Sequence, residues 1–172
     1  YRSWGQKWKS ADEIIHNMIT IAARGGNFLL NVGPDALGNI PEEAQACLKS
    51  VGEWMKVNGE IIYNSQRSML TPEWGECIRK DSKNSSTLYL CVFDWPESGE
   101  LKLNCNYGIK KVTFMSDQSI LKYKTKDNIM TIDISDKSPD KTVTIIKVEL
   151  KKKLPAIKLI QNSQKTFKIE DV

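Results

Sequence analysis

Residues 25–34 read Gly-Gly-Asn-Phe-Leu-Leu-Asn-Val-Gly-Pro. Asn27 to Val32 form a short apolar run between a Gly pair that stops a helix and a Gly-Pro breaker. This pattern predicts a fully buried strand rather than an amphipathic one. A capped helical pattern lies on each side of it. Helix, buried strand, helix is one piece of a parallel α/β layer. Only one such piece is present, so the chain is expected to hold the end of a larger domain.

The flanking helices carry their own signals. Ser10-Ala11-Asp12-Glu13 is a capping box, in which the Ser10 hydroxyl accepts from the Glu13 amide and Glu13 reaches back to Ser10. Ile14, Ile15, Met18, Ile19 and Ala22 follow at helical spacing, and Gly25-Gly26 permits the left-handed backbone that ends a helix. The second helix is predicted to begin near Pro41, with Glu42 and Glu43 at the positive end of its dipole. Ala44, Cys47, Leu48, Val51, Trp54 and Met55 form its core-facing stripe, and Asn58-Gly59 is expected to stop it.

After about Tyr63 the period changes to two. Short strands are predicted over residues 76–80, 87–93, 100–103, 111–114, 122–125, 129–134 and 142–148, separated by clusters of Gly, Pro, Asn, Asp and Ser. Asp127-Asn128 is a tight hairpin candidate. Seven short strands without helices predict an antiparallel β-sandwich. The tail from Lys151 has a weaker pattern, either an edge strand over 157–160 or frayed chain. The predicted organisation is therefore α/β followed by all-β. Residues 1–64 form the first part, 65–150 the sandwich, and 151–172 a tail or extra edge strand.

Composition narrows the function. Of the 172 residues, 40% are hydrophobic and 27% charged, ordinary for a globular protein. No run approaches the roughly 20 apolar residues needed to span a bilayer, so no membrane partner is expected. The chain opens on Tyr1 rather than Met and shows no signal segment, so it is expected to be processed or cut from something longer. Residues 1–64 hold six Lys and Arg against seven Asp and Glu, and residues 65–172 hold 19 against 14. The excess clusters only at Lys151-Lys152-Lys153, too short for a nucleic-acid footprint.

Cys47, Cys77, Cys91 and Cys105 have no metal-like spacing, and His16 is the one histidine, so no metal is expected. Cys47 reads as a packed free thiol, and a disulfide among the other three stays open. Gly25, Gly26, Gly33 and Gly38 fit neither a P-loop nor a dinucleotide fingerprint and read as punctuation, so no cofactor is expected. Asn84-Ser85-Ser86 is a glycosylation sequon in a polar loop, meaningful in a eukaryotic secretory protein.

The ordered series Ser10-Ala-Asp-Glu-Ile-Ile-His16, Gly25 to Pro34, Gly38-Asn-Ile-Pro-Glu-Glu43 and Gly52-Glu-Trp-Met-Lys-Val-Asn-Gly-Glu-Ile-Ile-Tyr63 resembles the end of the catalytic domain of α-L-fucosidases of glycoside hydrolase family 29. Leu88-Tyr-Leu-Cys-Val-Phe-Asp-Trp-Pro96 and Pro139-Asp-Lys-Thr-Val-Thr-Ile-Ile-Lys-Val-Glu-Leu150 resemble that family's C-terminal β-sandwich. The resemblance covers roughly residues 2 to 150.

It implies a (β/α)₈-like barrel in which Asn27 to Val32 is a late strand and residues 41–57 a final outer helix. Asn27, Leu29 and Asn31 would share one face, and Phe28, Leu30 and Val32 the other. Asn31 to Pro34 would lie at the strand's C-terminal end, where barrel enzymes carry their sites.

The chemistry implied is retaining hydrolysis of a terminal α-L-fucoside, which needs two carboxyl groups about 5 Å apart. In the family these are an Asp nucleophile and a Glu or Asp acid/base, both upstream of the motifs present here. No residue of this chain matches either, so no catalytic residue is assigned and the 172-residue piece alone is expected to be inactive. The partner implied is a fucosylated glycan. The compartment implied is extracellular, periplasmic or lysosomal. The barrel strand is expected to need the rest of the barrel, a companion chain or self-association to cover it.

Trp4-Gly5 resembles a Trp-Gly-Tyr element at the family's active-site rim, with Gln6 in place of Tyr. Trp4 is thus a candidate for stacking on sugar, with structural packing as its alternative. Asn31 is a candidate for hydrogen bonding to substrate, with Asn27 beside it; both could instead satisfy backbone groups. His16 lacks a paired carboxylate and reads as structural. Asp94-Trp95-Pro96-Glu97 reads as a strand-end turn rather than a sugar site. Trp8 is unassigned, and Trp74 could cover the junction of the two halves. Two rival readings are a non-catalytic carbohydrate-binding or structural β-sandwich module and a protein-interaction domain.

Overall fold

The computed structural model describes residues 8–156. Trp4 and the possible edge strand over 157–160 lie outside the described residues.

Two helices come first: α1 (Ala11–Ala23) and α2 (Glu42–Ile62). Seven strands follow: β1 (Gly75–Asp81), β2 (Ser86–Val92), β3 (Glu100–Asn104), β4 (Ile109–Phe114), β5 (Tyr123–Lys126), β6 (Ile129–Asp133) and β7 (Thr144–Leu150). Each overlaps a strand predicted from sequence. They form two antiparallel sheets with orders β1-β2-β7-β4 and β3-β6-β5. Asp127 and Asn128 both take positive φ (50° and 64°), as a two-residue hairpin requires of both central residues.

Alternation sorts the side chains into layers. Leu88, Leu90, Val92, Ile146 and Val148 point one way and meet Leu101, Leu103, Met130 and Ile132 of the smaller sheet in one core. Ile78, Tyr89, Cys91, Val143 and Ile145 point the other way and meet Ile15, Ile19, Ala22, Ala23 and Ile61 of the helices. The larger sheet is thus buried on both faces. This explains the nearly unbroken apolar run Leu88 to Val92, which a sheet with one wet face would not need.

The helix ends follow their caps, with one correction. Ser10 and Glu13 make the reciprocal capping box, with the Glu13 amide to Ser10 Oγ at 3.1 Å and the Ser10 amide to Glu13 Oε2 at 2.7 Å. Asn58-Gly59 does not stop α2, which runs on to Ile62. Gly59 is buried with the Tyr63 ring against it, and Asn58 Nδ2 donates to the Trp54 carbonyl inside the helix (3.3 Å). The break comes at Asn64, with φ 57°.

The stripe on α2 is only partly covered. Ala44 is buried, Cys47, Val51, Trp54 and Met55 are half-buried, and Leu48 is 38% exposed. The open disulfide is also settled: Cys77, Cys91 and Cys105 are free and buried. Cys77 and Cys105 belong to the core between the sheets, whereas Cys91 lies on the helix side.

Candidate functional site

The segment joining the helices is where the sequence places a site. Gly25 takes φ 76°, and its amide and that of Gly26 donate to Ala22 O (3.0 Å) and Ile21 O (2.9 Å), closing α1. The run 27–32 that follows has no ladder partner among the described residues and is not fully buried, which corrects the expected buried strand. The reason is physical: a parallel strand exists only through neighbours that take its backbone groups.

The expected alternation is nonetheless present. Phe28, Leu30 and Val32 are half-buried, while Asn27, Leu29 and Asn31 are exposed, Leu29 at 92%. Asn31, the candidate for substrate contact, therefore lies on the open face beside Leu29.

The turn after this run is rigidly built. Asp35 Oδ1 accepts the amides of Leu37 and Asn39 (both 2.8 Å), its own amide donates to Asn39 O (2.8 Å), and Gly38 takes φ 84°. The Asn39 amide leads the bonds that hold the Asp35 carboxyl below the usual aspartate range, against a smaller opposing effect of desolvation. Asp35 is thus spent on its turn. Behind the segment, a cleft between the ends of α1 and α2 is lined by Met18, Asn27, Phe28, Met55, Tyr63 and their neighbours. No carboxylate lines it among the described residues.

The other candidates take structural places. His16 Nε2 lies 2.8 Å from Thr142 O, and its ring stacks on Phe93 with centroids 4.2 Å apart. Thr142 Oγ1 donates to Asp12 Oδ1 (2.7 Å), so one loop grips α1 at two points. Trp74 Nε1 donates to Lys102 O (3.0 Å), and Trp74 and Trp95 both pack against the core between the sheets. The amides of Phe93 and Asp94 donate to Trp74 O (both 3.0 Å), and the strand-end turn closes where the Gly99 amide donates to Pro96 O (3.3 Å). Among the described residues no group of three or more His, Cys, Asp or Glu could hold a metal.

Two polar networks escaped sequence reasoning. On the helix side, Glu60 of α2 accepts from Tyr89 Oη and from Lys147 Nζ (2.7 Å), while Lys80 Nζ donates to Glu60 O (2.7 Å). At the far end of β1, Arg79 is 5% exposed. It donates to both Asp81 carboxylate oxygens and to Leu154 O and Pro155 O, each at 2.8 Å. Ser86 Oγ completes this latch, donating to Asp81 Oδ1 (2.6 Å) and accepting the Leu154 amide (2.9 Å). The only local signal was an Arg on the same strand face as buried Cys77.

The family profile described as Alpha-L-fucosidase matches residues 1–60. The chain is 30% identical over 139 residues to Alpha-L-fucosidase of Dictyostelium discoideum, covering 80% of this chain and 29% of that protein. It is 33% identical over 132 residues to Tissue alpha-L-fucosidase of Homo sapiens, covering 72% and 28%. Over most of its own length the chain is similar in sequence to α-L-fucosidases. Its fold superposes on Alpha-L-fucosidase isoenzyme 1 from Paenibacillus thiaminolyticus with a TM-score of 0.76 at 28% identity, over 87% of this chain and 37% of that one. The chain thus spans under a third of the length of these two curated fucosidases.

Proposed function

We propose that this chain is the C-terminal part of a retaining exo-α-L-fucosidase that removes terminal α-L-fucose from glycoconjugates or oligosaccharides. Residues 1–64 supply the last strand and outer helix of a (β/α)₈-like barrel, and residues 65–150 supply the sandwich that buttresses it. The nucleophile and acid/base lie in the sequence that precedes these motifs in the longer protein. Residues 27–32 carry this reading. They keep a strand's alternation with one face half-buried and the other open, Leu29 at 92%, and no strand pairs with them among the described residues. A run with that pattern is built to take neighbours on both edges, from the rest of the barrel, a companion chain or a second copy.

Asn31 then stands at the C-terminal end of that strand, oriented toward substrate or the carboxylates that act on it. The reading as a carbohydrate-binding module has less support, since Trp74 and Trp95 pack on the core rather than forming a platform.

The test is hydrolysis of an aryl α-L-fucoside. The longer protein turns it over, and Asn31→Ala lowers its kcat/KM about tenfold or more, a loss of at least ~1.4 kcal/mol of transition-state binding. The purified 172-residue chain shows no turnover. Turnover by that chain overturns the placement of the carboxylates.

A further inference from the structure

We propose that Asn84 carries an N-linked glycan, attached before segment 151–156 docks on β1 and β2. Asn84-Ser85-Ser86 is the one Asn-X-Ser/Thr triplet in the 172 residues. The structure puts its asparagine at the exposed turn between β1 and β2, where the carboxamide makes no hydrogen bond among the described residues. The turn is held by its neighbours instead: the Ser82 amide donates to Ser85 O (2.9 Å) and the Ser85 amide to Ser82 Oγ (3.1 Å). A glycan on Asn84 therefore displaces no packing and no hydrogen bond.

The third residue of the triplet sets the timing. A transferase that reads this motif needs the Ser86 hydroxyl in an extended, accessible peptide. In the folded chain Ser86 is 1% exposed, and its hydroxyl is used twice, as donor to Asp81 and as acceptor from the Leu154 amide. Leu154 lies 68 residues further along the chain. The hydroxyl is thus free while the chain emerges and is locked when the Arg79–Asp81 latch closes over residues 154–155. The co-reactant is a lipid pyrophosphate-linked oligosaccharide. A bond forms between Asn84 Nδ2 and the anomeric carbon, the carbon–oxygen bond to pyrophosphate breaks with its electron pair leaving on phosphate, and an amide proton is released to a base. The inference does not depend on the fucosidase reading.

The experiment is to secrete the protein from insect cells and measure its mass before and after peptide N-glycosidase. The wild type loses one glycan mass from the peptide containing Asn84, Asn84→Gln has none to lose at that peptide, and Ser86→Thr keeps it. Absence of a glycan on wild-type Asn84 overturns the site. The timing is tested on unglycosylated protein made in bacteria. Oligosaccharyltransferase with its lipid-linked donor modifies a peptide of residues 80–90 at least about tenfold faster than the native protein, whose sequon requires local opening. Equal rates overturn the timing and leave the site standing.

Discussion

Lys147 of β7 places its Nζ 2.7 Å from Glu60 Oε1 on α2, the same oxygen that accepts the Tyr89 hydroxyl. This contact joins the helical layer to the sandwich. The bonds from Lys147 and then Tyr89 hold the Glu60 carboxyl below its ordinary range, with burial opposing them. Tyr89→Phe removes a half-buried hydrogen bond and is expected to cost about 1 kcal/mol. Lys147→Ala breaks a partly solvated ion pair and is expected to cost about 1 kcal/mol or less. Urea midpoints at constant m-value measure both.

Arg79 is the costlier site. Arg79→Ala leaves the Asp81 carboxylate with the Ser86 hydroxyl but without its charged partner, and removes the guanidinium donor from the carbonyls of Leu154 and Pro155, with Arg79 and Asp81 side chains only 6% and 11% exposed. The expected loss is about 3–5 kcal/mol, read by thermal or urea unfolding.

Acid should open the same latch. Burial alone would raise Asp81, but the bonds from Arg79 and Ser86 outweigh it and leave its pKa below the usual aspartate value. A depressed folded pKa gives stability that is complete above the unfolded value and is lost as pH falls through the folded one. Stability is therefore expected to fall as pH drops below the ordinary aspartate range, and Asp81→Asn should flatten that dependence. Unfolding curves over a series of acidic buffers check the slope.

The thiols give an independent check of the layers. Burial pushes the Cys77 thiol up to about 12 and the Cys91 thiol well above its normal value. Neither is expected to react with a disulfide reagent in the native state, whereas half-buried Cys47 should react. In denaturant all four should titrate, and fewer than four would show a disulfide that the structure does not contain.

Two glycines separate steric need from helix propensity. A Cβ on Gly75 would sit 2.0 Å from the Cys91 carbonyl oxygen, so Gly75→Ala must displace β1 from β2 and is expected to cost about 2–3 kcal/mol. Gly52, inside α2, has nothing within 4 Å, so Gly52→Ala is expected to stabilise by about 0.5–1 kcal/mol. Melting temperatures of the two variants should move in opposite directions.

What the sequence made legible follows from the range of each signal. The Ser10–Glu13 capping box, the Asp127-Asn128 turn and the alternation of the seven strands are local, and each appears where its residues stand. The alternation of 27–32 was legible too, but its pairing was not, because hydrogen bonding to neighbours is a property of other segments. Asn58-Gly59 misled because the side chains of Met55 and Tyr63, one turn away on either side, close over Gly59 and the helix continues past it. The Arg79 latch and the Glu60 network join residues 75 and 87 positions apart, and nothing in their own neighbourhoods announces the partner. Of the candidate site, Asn31 could be placed on the open face by period alone, whereas what it faces depends on chain beyond these elements.

The most direct test of the account is amide hydrogen exchange at Leu29 and Asn31, measured in this 172-residue chain and in the longer protein proposed above. In the chain alone both amides are expected to exchange at rates near those of an unstructured peptide. In the longer protein they should be slowed by about a hundredfold or more, as flanking barrel strands take up their hydrogen bonds. Equal rates in the two proteins would contradict the assignment of residues 27–32 as a barrel strand.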